Sequence, residues 1–148
     1  WRSAIRFREK QVRAMGRSAS GVRAIRVKKD DRVVGMDVVD RTLSDIGQLL
    51  IVTQKGFGKR TGLKQYKVQG RGGSGIKTAK VTAKTGDLVT SMVVNSKALD
   101  EDMVIISGKG QVIRMELKGV SVLGRATQGV RLMKFKETGD KVASVTFV

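Results

Sequence analysis

The sequence predicts an all-β, propeller-like repeat array of about three blades, each of four short strands. Three observations carry this expectation. The run Gly16-Arg17-Ser18-Ala19-Ser20-Gly21-Val22 returns as Gly70-Arg71-Gly72-Gly73-Ser74-Gly75-Ile76 and as Gly124-Arg125-Ala126-Thr127-Gln128-Gly129-Val130, each time 54 residues further on. A fixed period near 50 residues is the mark of propellers and solenoids. Each period also holds short apolar, β-rich runs bounded by glycine turns, while helix-length amphipathic patterns are few, which disfavours a helical solenoid.

The chain opens partway through a repeat. Ser3 to Phe7 reads as the second arm of a hairpin whose first arm is missing, with Arg2 where later copies hold Gly56 and Gly110. A third strand follows the glycine–arginine loop at Val22 to Val27, and a fourth lies at Val33 to Val39. The second repeat has all four: Leu49 to Thr53, a turn at Lys55-Gly56, Phe57 to Thr61, Ile76 to Val81 and Val89 to Asn95. The third repeats them as Met103 to Ser107, a turn at Lys109-Gly110, Gln111 to Met115, Val130 to Phe135 and Val142 to Val148. Blades are expected at about residues 1–45, 46–99 and 100–148. Fewer than three full periods, and Trp1 in place of an initiating Met, point to part of a larger assembly. Open strand edges are unfavourable, so self-association into a closed ring, or irregular structure over the ends, is expected.

Composition narrows the chemistry. Cysteine is absent, which excludes a disulfide framework and a thiolate zinc site and makes a reducing cytoplasm the simplest compartment. Histidine is absent too, removing the usual general base and the commonest metal ligand. No apolar run approaches the roughly 20 residues of a helical membrane span. Against this stand 30 Lys and Arg over 13 Asp and Glu, a net charge of +17, which calls for a polyanionic partner. The charge is segregated: from Ile46 to Gly86 there is no acid, while Lys55, Lys84 and seven other cations lie inside.

Five positions are basic in all three copies. They are Arg6, Arg60 and Arg114; Lys10, Lys64 and Lys118; Arg17, Arg71 and Arg125; Arg23, Lys77 and Arg131; and Arg26, Lys80 and Lys134. Side chains alternate along a strand, so Arg23 and Arg26 face opposite ways and not every column meets one partner. The candidate binding residues are the second-strand set Arg6, Arg60 and Arg114, the loop set Arg17, Arg71 and Arg125, and the third-strand set Arg23, Lys77 and Arg131. A periodic row of such cations follows a duplex phosphate backbone without reading bases. Aromatic residues make up only 4% of the chain, which weakens single-strand binding by base stacking. Two plainer readings remain: basic side chains that merely solvate strand surface, and loop glycines that merely turn the chain. A propeller-type scaffold for an acidic protein is the alternative from another class.

No residue reads as catalytic. Tyr66 is the one tyrosine, but its counterparts are Val12 and Val120, which makes it a packing position. Ile76 separates Gly75 from Lys77-Thr78, so Gly70 to Thr78 is not a phosphate-binding P-loop. Asp100-Glu101-Asp102 matches Ile46-Gly47-Gln48 and reads as a solvated turn rather than a metal site.

The runs Gly56-Phe57-Gly58-Lys59-Arg60-Thr61, Tyr66 to Lys80, Ser121 to Leu132 and Val12 to Arg23 closely resemble the C-terminal domain of DNA gyrase A, over nearly the whole chain. The resemblance implies a β-pinwheel, a propeller relative whose blades exchange strands, with duplex DNA wrapped around a basic rim. It implies a non-catalytic part of an ATP-dependent type IIA topoisomerase that introduces negative supercoils. Its partners would be DNA, the rest of gyrase A, and gyrase B; ATP and Mg2+ would serve the whole enzyme, and no cofactor this domain. The three blades resemble the second half of the pinwheel, and the related domain of topoisomerase IV is the nearest alternative. The family's Q-R-R-G-G-K-G box has its nearest counterpart in Gln69 to Gly75, with Gly70 and Ser74 at the two outer basic places.

Overall fold

The computed structural model describes residues Trp1–Val148. Its strands are β1 (Arg2–Ala4), β2 (Arg6–Phe7), β3 (Gly47–Thr53), β4 (Phe57–Gly62), β5 (Val68–Gln69), β6 (Ile76–Ala79), β7 (Leu88–Asn95), β8 (Asp102–Ser107), β9 (Val112–Glu116), β10 (Val130–Arg131) and β11 (Val142–Phe147). One-turn 3-10 helices at Glu9–Gln11, Leu63–Gln65 and Leu117–Gly119 recur at the same 54-residue spacing.

Hairpins form where the turn signals stood. β3 pairs antiparallel with β4, and β8 with β9. In each, a hydroxyl at the end of the first arm takes the N–H that opens the second: Phe57 N–H donates to Thr53 Oγ1 at 3.1 Å, and Gln111 N–H to Ser107 Oγ at 3.0 Å. The fourth strand returns beside the first arm of its own repeat, β7 on β3 and β11 on β8.

The third strand behaves differently, because it leaves its own repeat. β6 pairs with β1, placing Ser3 opposite Lys77 and Ala4 opposite Ile76. β10 pairs with β4, placing Phe57 opposite Arg131 and Gly58 opposite Val130. The register is the same at both junctions, shifted by one repeat. The four-stranded sheet β10-β4-β3-β7 therefore draws on two repeats, which is the strand exchange of a β-pinwheel. A parallel pairing of Arg6 with Val68 (β2 and β5), echoed by a bridge between Arg60 and Val122, adds a second row of contacts across each junction.

The loop glycines serve this exchange. A Cβ at Gly129, where φ is +89°, would lie 2.7 Å from Gly58 O, and one at Gly75 (φ +71°) would run into Ala4 O. Turning the chain and admitting the neighbouring strand are thus one requirement.

Side chains alternate in direction along β3, which is covered on both faces. Leu50 and Val52 pack with Met103, Ile105, Leu117 and Val120, whereas Ile51 points the other way toward Ala79 and Leu88.

In the first repeat, the third and fourth strands expected at Val22–Val27 and Val33–Val39 do not form. By the pairing rule, the third strand needs the second arm of a preceding repeat and the fourth needs the first arm of its own. This chain contains neither, and a lone strand leaves its backbone groups without a ladder. The fourth segment leads instead into helix α1 (Arg41–Ile46), where Asp40 caps the N-terminus by accepting from Leu43 N–H at 2.8 Å.

Candidate nucleic-acid interface

The loop arginines sit at the seams between repeats. Arg71 N–H donates to Gln11 Oε1 at 2.7 Å, its Nε to Gln11 O at 3.0 Å and its Nη1 to Arg23 O. One period on, Arg125 N–H donates to Gln65 Oε1 at 3.3 Å and its Nη1 to Lys77 O at 3.0 Å. The seam therefore pairs a loop cation with a third-strand cation twice over, Arg71 with Arg23 and Arg125 with Lys77. One face of each guanidinium secures the neighbouring repeat, while the remaining N–H groups have no partner within the chain.

The third-strand cations are exposed and donate no hydrogen bond from their side chains. Lys77 Nζ lies 4.8 Å from the centre of the Trp1 ring, and the Arg131 guanidinium 5.0 Å from that of Phe57, contacts that hold the charge over an apolar surface without neutralising it. Arg17 is exposed and unbonded. The ion pairs of the molecule use Arg2, Lys109, Arg114 and Lys118, and so leave the loop set and the third-strand set unneutralised.

The second-strand set finds partners within the chain. Arg60 is 4% exposed; its Nε donates to Val120 O at 2.7 Å and its Nη1 to Gln48 Oε1 at 2.7 Å. Arg6 is half-buried, donating to Leu63 O at 3.1 Å and Ser44 Oγ at 2.8 Å. Arg114 is exposed but paired with Asp102 at 2.5 Å. Arg6 and Arg60 thus tie neighbouring repeats together, while Arg114 is held within its own hairpin. The candidate surface accordingly reduces to Arg17, Arg23, Arg71, Lys77, Arg125 and Arg131.

Two features escape a search for recurring cations. Lys55, Lys84 and Lys141 join Arg131 around a cleft of about 370 Å³ that Glu137 and Asp140 also line. The counterparts of Lys84 are Asp30 and Thr138, so recurrence does not find it, although the acid-free run from Ile46 to Gly86 contains it. Tyr66 is buried as expected of a packing position, with its hydroxyl against Thr78 Oγ1, and burial raises its pKa.

The other is Lys59, which is 1% exposed and donates to Gly124 O, Arg125 O and Thr127 Oγ1 at 2.8, 2.7 and 3.0 Å. Burial, then repulsion from Arg125, lowers its pKa from 10.5 to about 8. The folded chain gives up this proton near pH 8 while the unfolded chain keeps it to about 10.5, so the unfolded state binds more protons in between. Stability contributed at this site therefore rises with pH across that window. Urea melts at the two ends of the window should show a larger gain for the wild type than for Lys59→Met; equal gains would place the titration elsewhere.

No helix is long and apolar enough to cross a membrane. A family model described as the DNA gyrase C-terminal domain, beta-propeller, matches residues 3–40, 47–96 and 101–148. DNA gyrase A of Staphylococcus epidermidis (strain ATCC 12228 / FDA PCI 1200) is 42% identical over 99% of this chain and 16% of its own length. That of Staphylococcus aureus (strain MRSA252) is 41% identical over 89% of this chain and 14% of its own length. The chain thus spans about a sixth of the relatives it matches. A solved DNA gyrase A C-terminal domain superposes on 99% of the chain and 47% of its own length, with a TM-score of 0.84 and 26% identity. The C-terminal domain of DNA topoisomerase IV superposes on 99% of the chain and 44% of its own, with a TM-score of 0.85; at 20% identity it shares the fold.

Proposed function

This chain belongs to the DNA gyrase A C-terminal domain family, and from that membership we propose that it binds and bends duplex DNA along its seams through phosphates, without reading sequence. The domain is non-catalytic. The observation that carries the reading is the repeated seam, in which Arg71 beside Arg23 and Arg125 beside Lys77 present cations that no carboxylate neutralises. Spaced by one repeat, these pairs offer separated phosphate contacts to one duplex that follows the array. Contacts of this kind fix the path of the backbone and carry no base information. In the whole enzyme the domain works with the rest of gyrase A and with gyrase B, and a segment wrapped with one hand, delivered to strand passage, gives ATP-dependent negative supercoiling in the cytoplasm.

The test is topological. The chain is bound to closed circular DNA, the DNA is relaxed by a nicking-closing enzyme, and the protein is removed. Trapped supercoils of a single sign are expected, increasing with protein added. Fully relaxed circles at saturating protein would mean that the seams hold DNA without wrapping it.

A further inference from the structure

We propose that Lys59 is a positioning residue: by holding from beneath the loop that carries Arg125, it frees the Nε and Nη2 edge of that guanidinium to take one phosphate of the duplex in two parallel hydrogen bonds. The seam between the second and third repeats is then the tighter of the two. The inference rests on the reading of the seams as a phosphate-binding surface. Recurrence does not point to Lys59, because the places one period away hold Ile5 and Ile113. Yet among the fully buried side chains it is the largest. A buried ammonium is costly unless its donors are met. Here all three are met by one short loop, at Gly124 O, Arg125 O and Thr127 Oγ1.

The two seams differ at the guanidinium. At the first, Ile5 lies beneath the loop, its Cδ1 3.7 Å from where a Cβ on Gly73 would sit, and it donates nothing. Arg71 then holds the preceding repeat itself, with Nε on Gln11 O at 3.0 Å and Nη1 on Arg23 O. At the second, Lys59 secures the loop by its backbone, and Arg125 keeps the Nη1 bond to Lys77 O while its Nε makes none to Gln65 O. The edge of a guanidinium formed by Nε and Nη2 matches the spacing of two phosphate oxygens, which makes arginine a more specific phosphate ligand than a point charge. At Arg125 that edge is open; at Arg71 half of it is used.

The surrounding charge couples this arrangement to phosphate. The segments that meet at the seam, residues 46–86 and 117–136, contain no acid, so no carboxylate compensates Lys59. The charged neighbours of the loop are Arg125 itself and, from the segment it lies on, Lys77, whose carbonyl takes Arg125 Nη1, and Lys80, whose N–H donates to Thr127 O. β3 places Ile51 opposite Lys59, and β10 places Val130 opposite Gly58 with Arg131 over the Phe57 ring. Tyr66, the other titratable group that Arg125 influences, is held neutral by burial. A phosphate on Arg125 offsets the repulsion between Arg125 and Lys59, and so favours the protonated amine that three acceptors require. By linkage, duplex binding weakens as pH rises through the Lys59 pKa of about 8, in the direction opposite to stability at this site.

Duplex affinity, measured at fixed ionic strength from about pH 7 to about pH 9, is expected to fall about threefold or more for the wild type and to stay nearly level for Lys59→Met, which serves as the control for every other group. At about pH 7, Lys59→Met is expected to weaken binding about tenfold, the worth of one charge-assisted hydrogen bond, with an unchanged circular dichroism spectrum. That loss should vanish in an Arg125→Gln background and persist in an Arg71→Gln background. A lysine that served structure alone would lower affinity equally at both ends of the pH range and in both backgrounds. That result would overturn the inference, as would a Lys59→Met affinity equal to that of the wild type. If neither Arg71→Gln nor Arg125→Gln weakened duplex binding, the seam reading itself would fall, and this inference with it.

Discussion

Duplex affinity should fall by about 10³ between about 50 and 200 mM salt if all six cations of the candidate surface meet phosphates. Each phosphate contact releases condensed counterions, and six of them give a log–log slope of about −5. The third-strand set is where this is tested without disturbing the fold. Lys77 and Arg131 make no hydrogen bond from their side chains, whereas Arg71 and Arg125 also hold the neighbouring repeat. Lys77→Gln and Arg131→Gln are each expected to reduce the slope by about 1 and to weaken all duplex sequences alike. A slope near zero would remove phosphate contact as the source of affinity. A loss confined to one sequence would mean base readout instead.

What the sequence disclosed, and what it withheld, follows from where each partner lies. The β3–β4 and β8–β9 hairpins were legible because both arms and the turn between them are local, so apolar runs and Lys-Gly signals suffice. Val22–Val27 carries the same pattern as β6 and β10 and yet stays out of any sheet, because its ladder would lie in a preceding repeat. Pattern reports what a strand can do, and pairing decides whether it forms. The short helix at Arg41–Ile46 left only its capping Asp40 as a signal. In sequence Asp40 is one acid among several between basic stretches, and six residues are too few for a helical periodicity to show.

The candidate surface was half legible for a related reason. In a repeat array, recurrence selects any residue that every blade needs, and every blade needs both an outer face and a seam. The loop arginines do both, the third-strand cations remain outside, and the second-strand arginines mostly turn inward. Charge alone did not separate these cases, because an arginine that donates to a backbone carbonyl has the same letter as one that meets phosphate. The separating quantity is the partner of the guanidinium, Val120 O and Gln48 Oε1 for Arg60 against an aromatic face for Arg131.

That distinction makes Arg60 the sharpest substitution in the molecule. Arg60→Ala is expected to cost about 3 kcal/mol of stability in urea denaturation, since it leaves Val120 O without its side-chain donor inside the seam and opens space where the arginine lay. Its backbone still bridges to Ser121 and Leu123, so the seam is weakened rather than lost. The salt slope of DNA binding, measured where the variant remains folded, should match the wild type, because an arginine that is 4% exposed and bonded within the seam meets no phosphate from which to release counterions. Arg131→Gln should show the opposite pair of results, a reduced slope with stability within about 0.5 kcal/mol of wild type. If Arg60→Ala lowered the slope and left stability intact, the second-strand column would return to the binding surface, and the seam would have to open on DNA to expose it.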